Sequence, residues 1–334
     1  MHDSKFRQLF IQSIGITALL LIAIGGFVAI VDPYQQYHKA DNAYCGNQRR
    51  EIAGVAQHHD YDAFITGSSM SMNHYPEQID SLWGWKTKNF SIMGATYEDY
   101  AVILPYVLSK GKAKNVILNI DPFSFARERV AVDKYLYDDN ILNDYEYLYN
   151  YTSLKTAIDY LRHPLPEKNL YHFNSPFGRD ILKKSYNSKK NTDGFEGENY
   201  DYDKLQDNFD NSLLNTIRES SDSIHWHIYY PPYSIGEFVL LHKFGDLDDV
   251  LRFKEYSIRQ LLQTPNVDLY DFQVSPWITN LDQYMDLRHH SHTYNREIIQ
   301  SIHDGEYRID TFPVSMSSRL KELAIQYRDS LENL

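Results

Sequence analysis

An uninterrupted apolar run, Ile14 to Val31, contains no charged side chain and constrains this chain more than any other feature. Wound as a helix, its roughly 18 residues just cross the hydrocarbon core of a bilayer. Lys5 and Arg7 precede the run, and Asp32 and Pro33 follow it. The positive-inside tendency then leaves a short cytoplasmic tail, residues 1–13, and puts the remaining chain in the periplasm or outside the cell. We read an uncleaved, single-pass signal anchor over 14–31. A cleaved signal peptide is the competing reading, but it favours a shorter apolar region and a small-x-small site, which Val28-Ala29-Ile30-Val31 lacks. A buried core helix fits poorly, because the run is apolar on all sides.

With 334 residues the chain can bury a large core, as one elaborated α/β domain or as two domains. We favour one domain over 51–334, joined to the anchor by an extended juxtamembrane segment, 32–50, because Pro33 breaks the helix. The single cysteine, Cys45, rules out an intramolecular disulfide framework and a multi-cysteine zinc site. The formal charge of −12, with no basic block, argues against a nucleic-acid partner. Tyrosine is in excess, at 28 residues. Rings with a hydroxyl handle suit sugar faces, and equally suit packing at a half-wet surface.

The periodicity alternates between strand and helix. Short apolar runs at Tyr61–Thr66, Asn89–Ile92, Asn115–Ile120, Ile224–Tyr230 and Val267–Phe272 predict strands. Tyr97–Ser109 has helical spacing, with a kink expected at Pro105 and a stop at Gly111. Further helices are predicted over 247–262, after the capping residue Ser291, and near the C-terminus. Strand, helix, strand implies right-handed crossovers and a parallel sheet. From about 138 to 219 the alternation fades into polar, Tyr-rich sequence, read as an insertion with a solvated loop at 187–194.

Two segments carry chemistry. Gly67-Ser68-Ser69-Met70-Ser71 follows the first strand, and Asp286-Leu287-Arg288-His289 follows the last by a loop. A serine hydroxyl becomes a nucleophile when an imidazole takes its proton and a carboxylate orients that imidazole. Ser69, His289 and Asp286 can fill these roles, and loops beyond the carboxyl ends of strands are where open α/β sheets put their sites. Backbone amides at Ser69 and Gly94 are candidates for an oxyanion hole.

These blocks resemble the SGNH/GDSL hydrolase superfamily, in particular its membrane-anchored branch, which includes the D-alanyl transfer protein of teichoic acid synthesis and the alginate O-acetylation proteins. Gly67-Ser68-Ser69 is similar to the Gly-Asp-Ser block, Asn89 to Gly94 to the second block, and Asp286-Leu287-Arg288-His289 to the Asp-x-x-His block. Asp32-Pro33-Tyr34, Pro231-Pro232-Tyr233-Ser234 and Tyr270-Asp271-Phe272 also resemble membrane-anchored proteins of bacterial surface-polysaccharide loci. The resemblance implies a three-layer α/β/α, flavodoxin-like domain, with Ser69 as nucleophile, His289 as base, Asp286 as orienter and Gly94 as an oxyanion donor. The chain departs from the pattern in the third block. Where the superfamily often carries Gly-x-Asn-Asp, Asn119 stands at the glycine's position and Asp121 at the asparagine's, so an oxyanion amide is missing or replaced.

Each residue also has a plainer reading. Ser68 and Ser71 are substitute nucleophiles, Ser68, Asn119 and Asp121 possible supports, and Asp121 a cap for the turn at Pro122. His289, His290 and His292 could gather a metal, although adjacent side chains in extended backbone point oppositely. His58-His59 reads as a solvated helix end, and partial burial accounts for His225 and His227 on one strand face. The expectation is an esterase or O-acyltransferase, with acetyl the favoured acyl group, acting on a cell-surface polysaccharide. It would use an acyl donor, need no metal or organic cofactor, and have a membrane acyltransferase as a possible partner. The alternative is a non-catalytic glycan-binding or scaffold protein of the same fold, and a phosphatase or metal hydrolase is a weaker third.

Overall fold

Buried apolar runs become the strands β1 (Ala63–Thr66), β2 (Thr87–Asn89), β3 (Asn115–Asn119), β4 (His225–Tyr230) and β5 (Val267–Asp271). The computed structural model describes residues 2–40, 47–128, 132–138, 140–162, 176–195, 198–220 and 222–332. All neighbouring strand pairs are parallel, in the order β2-β1-β3-β4-β5, which is the flavodoxin-like arrangement. Cys45 lies outside the described residues.

Helices cover both faces of the sheet. On one face Ile65, Ile117, Tyr229 and Tyr270 pack with Ile79 of the helix Pro76–Trp83 and with Ile298, Ile299 and Ile302 of the helix His292–Asp304. Each fully buried side chain of this kind stabilises the fold by about 1.5–3 kcal/mol. On the other face Tyr230 Oη lies 2.6 Å from Ser257 Oγ of the helix Leu247–Leu262, and Trp226 Nε1 donates to Ser220 Oγ at 3.2 Å. The period of two along β4 separates these sets.

The predicted elements fall close to the observed ones, with informative shifts. The second strand was expected at 89–92 and forms at Thr87–Asn89. Phe90 and Ile92 still donate their N–H groups to Ile65 O and Gly67 O, at 2.7 and 2.9 Å, so pairing along β1 continues into the loop. Helix Tyr97–Ser109 starts on a capping box, in which Asp99 Oδ2 accepts Thr96 N–H at 2.8 Å, and runs on through Pro105. Gly111, at φ +63°, follows its end. Asn187–Lys189 complete the helix Arg179–Lys189, so the polar loop begins only at Lys190.

The chain divides into two units. Residues 60–132 and 171–334 form the sheet unit, while 1–59 and 133–170 form the other. The polar stretch 138–219 is therefore shared between them. In the smaller unit the helix His2–Val31 includes a segment, Lys5–Val31, long and apolar enough to cross a membrane. Phe6, Leu9, Phe10 and Ile14 on it are more than half exposed.

The expected extended segment after the anchor is instead a folded knot. Asp32 and Gln35 adopt left-handed backbone, at φ 45° and 56°. The buried Asp32 carboxylate accepts the N–H groups of Gln36, Tyr37 and His38 at 2.8, 2.8 and 3.0 Å, and Tyr147 Oη at 2.8 Å. A short carboxylate that bonds its own following amides outcompetes an extended chain. His59 is likewise buried rather than solvated, with Nε2 2.6 Å from Gln35 Oε1.

Candidate active site

The loop after β1 turns sharply at Gly67, whose φ of +127° disfavours any side chain. The turn is tight enough that a Cβ here would collide with the Asn119 side-chain oxygen. Asn119, the last residue of β3, accepts Ser68 N–H through Oδ1 at 3.0 Å. The two loops that flank the reversal of strand order between β1 and β3 are thereby fastened together at the carboxyl edge of the sheet.

Three serines enter this loop and meet different fates. Ser71 Oγ, fully buried, lies 3.1 Å from the carbonyl oxygens of Thr66 and Ser68 and 2.8 Å from Ser91 Oγ. Ser68 Oγ, also fully buried, donates to Asp121 and accepts Met70 N–H at 3.1 Å. Both hydroxyls are committed to holding the turn, which removes them as substitute nucleophiles. Ser69 retains some exposure, and its Oγ lies 2.7 Å from His289 Nε2.

His289 reaches Ser69 from a loop whose shape Asp286 dictates. Asp286 Oδ1 accepts the N–H groups of Arg288 and His289 at 2.8 and 2.7 Å, and Oδ2 lies 2.8 Å from His289 Nδ1. A carboxylate can only accept, so Nδ1 carries the proton and Nε2 presents a lone pair to the serine hydroxyl. Burial pushes the Asp286 carboxyl up, but the imidazole and the two backbone donors outweigh it and hold the group well below the usual carboxylate range. Ser291 caps the next helix, accepting from Tyr294 N–H.

Beneath the nucleophile loop sits a polar hub that sequence reasoning reached only in part. Asp121, fully buried, accepts from Ser68 Oγ, Asn119 Nδ2 and Tyr233 Oη. Its side chain makes no helix cap, so the capping role expected at Pro122 is replaced by bonds that position the turn. Desolvation raises its pKa despite these three donors. The Asn119 amide is consumed here and does not point its donors at Ser69. Gly94, at φ +57°, lies in a turn closed by Ala95 N–H to Ile92 O at 3.1 Å, and this turn is fastened to Gly67 through Ile92.

Sequence reasoning missed Arg288. Its side chain leaves the loop opposite to His289 and becomes buried, paired through both Nη atoms with Glu198 at 2.9 and 2.7 Å and through Nε with Glu237 at 2.7 Å. Tyr200 Oη lies 3.1 Å from Nη2, and the guanidinium stacks 4.7 Å from the Phe123 ring centroid. Burial opposes ionisation of Glu198, but Arg288, Arg127 and Tyr200 lower its pKa to about 2. No local signal marked it, because its partners Glu198 and Glu237 lie 90 and 51 residues away in the sequence.

His289 faces Ser69 and Asp286, whereas His290 is buried, with neither ring nitrogen hydrogen-bonded.

No family model matches the chain, and no curated protein sequence does. Among solved structures the chain is similar to the C-terminal catalytic domain of peptidoglycan O-acetyltransferase A from Streptococcus pneumoniae, determined with a methylsulfonyl adduct. The two are 9% identical, the match covers 82% of this chain and 94% of that one, and the TM-score is 0.27.

Proposed function

We propose that this chain is a membrane-anchored serine esterase or O-acyltransferase, with Ser69 as nucleophile, His289 as general base and Asp286 as its orienting carboxylate. The observation that carries this reading is the continuous relay from Asp286 Oδ2 through His289 to Ser69 Oγ, with spacings of 2.8 and 2.7 Å. Ser69 Oγ attacks the ester carbonyl carbon while its proton passes to His289 Nε2. Negative charge collects on the carbonyl oxygen, where the Ser69 and Gly94 backbone amides are the proposed donors. Collapse breaks the bond to the leaving alcohol, which takes the proton from His289 and leaves an acyl-serine. Water or a sugar hydroxyl then repeats the sequence in reverse.

The proposed acceptor is a cell-surface polysaccharide and the proposed acyl group acetyl, with the helix His2–Val31 holding the enzyme at the membrane and the sheet unit outside the cytoplasm. Tethering raises the local concentration of catalyst toward nascent glycan or a membrane-borne donor. A non-catalytic glycan-binding role is the second reading, favoured by the engagement of the Asn119 amide with Ser68 and Asp121.

Fluorophosphonate labelling of the full chain in detergent separates the two. The enzyme reading expects one adduct, mapped to Ser69 by peptide mass spectrometry and abolished in Ser69→Ala. Wild-type protein that stays unlabelled while folded supports the binding role instead.

A further inference from the structure

A second cluster of chemistry-bearing side chains lies on the sheet unit at the amino-terminal edge of β4 and β5, away from the serine loop at the carboxyl edge. His225 and His227 are two residues apart on β4 and so share a face. The register of β4 with β5 places Asp268 directly opposite His227. Asp268 Oδ2 lies 2.8 Å from His225 Nε2 and 3.7 Å from His227 Nδ1, and the two imidazole centroids are 4.6 Å apart.

From this geometry we infer a divalent transition-metal site, of the zinc type, with His225 Nε2, His227 Nδ1 and Asp268 Oδ2 as its protein ligands. Two imidazoles and one carboxylate suit a borderline ion such as Zn2+ and poorly suit Mg2+ or Ca2+, which take oxygen. Tetrahedral coordination at about 2.0–2.1 Å separates ligand atoms by roughly 3.3 Å. The observed separations fall on either side of that value, and all three atoms lie within 4.8 Å of one another. Small rotations of the half-exposed His225 ring and of the Asp268 carboxylate would bring them toward it.

An independent observation points to an ion. His227 is 8% exposed, and its Nδ1 is buried without a hydrogen-bond partner, aimed at the carboxylate from just beyond bonding range. A buried ring nitrogen left unpaired is a cost that a cation removes.

The surroundings supply the support such a site needs. Arg308 Nη2 bonds Asp268 Oδ1 at 2.9 Å, fixing the carboxylate and leaving Oδ2 toward the histidines. The stacked Trp83 and Trp85 wall the His227 side, with ring centroids 6.2 and 5.7 Å from it. Protein supplies three ligands, so a water or a further side chain completes the shell. The bound ion would join β4 to β5 at the sheet edge.

The test uses the full chain in detergent, stripped with chelator and dialysed, and Zn2+ alone as the probe. Calorimetric titration is expected to find one tight zinc equivalent, weakened at least 10–100-fold in His225→Ala and in Asp268→Asn. Carbethoxylation of the wild type gives a readout that no variant's folding can obscure. Zinc is expected to suppress diethylpyrocarbonate modification of His225, whose side chain is 41% exposed. His225 modified at the same rate with and without zinc overturns the site, as does unchanged affinity in both folded variants.

Discussion

Ser69 Oγ and His289 Nε2 meet at 2.7 Å although 220 positions separate the residues. Neither loop makes this contact alone. One is set by a left-handed glycine and two spent serines, the other by a carboxylate that bonds its own backbone.

Groups that work as a relay lose activity as a unit. Ser69→Ala, His289→Ala and the double variant are each expected to lower p-nitrophenyl acetate turnover by about 10⁴-fold or more, the double no further than the singles. Independent, multiplying losses would show that the two residues do not act on the same proton. Melting temperatures should hardly change in Ser69→Ala, whose truncation leaves the hub beneath it intact.

Gly67→Ala combines a φ of +127° with a collision against Asn119. Strain and the displaced Ser68–Asn119 bond are expected to lower stability by about 2–4 kcal/mol. Urea denaturation measures this directly. Equal stability would mean that the turn relaxes without cost, and fluorophosphonate labelling should then be unaffected as well.

Asp121 offers a test in pH. Its folded pKa is raised, so the native state binds its proton more tightly than the unfolded chain, and stability falls as pH climbs from the ordinary carboxylate range through the raised value. Asp121→Asn removes that loss while retaining an acceptor for Ser68. The melting temperature of Asp121→Asn relative to wild type should therefore rise with pH, and a difference that stays flat from pH 4 to 8 would contradict the assignment. Asp121→Ala strands three donors and should cost several kcal/mol, at about 1–3 for each.

Glu198 shifts the other way. Lowered from 4.5 to about 2, it contributes stability above pH 4.5 that disappears as pH falls through its folded value, on the order of 3 kcal/mol by linkage. Acid unfolding of the wild type should steepen across that window, and Glu198→Gln should remove this component. Arg288→Ala leaves Glu237 buried without its cation and Glu198 with Arg127 alone, and should cost about 3–5 kcal/mol at neutral pH. Arg288→Lys cannot restore the bidentate pair.

Legibility in the sequence followed the range of the interactions. β3, β4 and the helix Leu247–Leu262 were readable because apolar spacing is local, and Ser69 and His289 because each sits in a short block beside such an element. Arg288 was not, since its partners Glu198 and Glu237 are 90 and 51 residues away and resemble ordinary surface charges until the loops converge. The roles of Asn119 and Asp121 required the parallel register of β1 and β3. His225 and His227 were visible as a pair, but Asp268 joined them only through the pairing of β4 with β5. The Asp32 knot was misread because Asp-Pro signals the end of a helix and says nothing of what the carboxylate will bind next.

That knot has a mechanical consequence. With four donors closed around Asp32 immediately after Val31, the apolar helix emerges into a stiff joint with no slack. The end of the rod is thus bolted to Tyr147, beside the helix Tyr151–Arg162, rather than left to a loose tether.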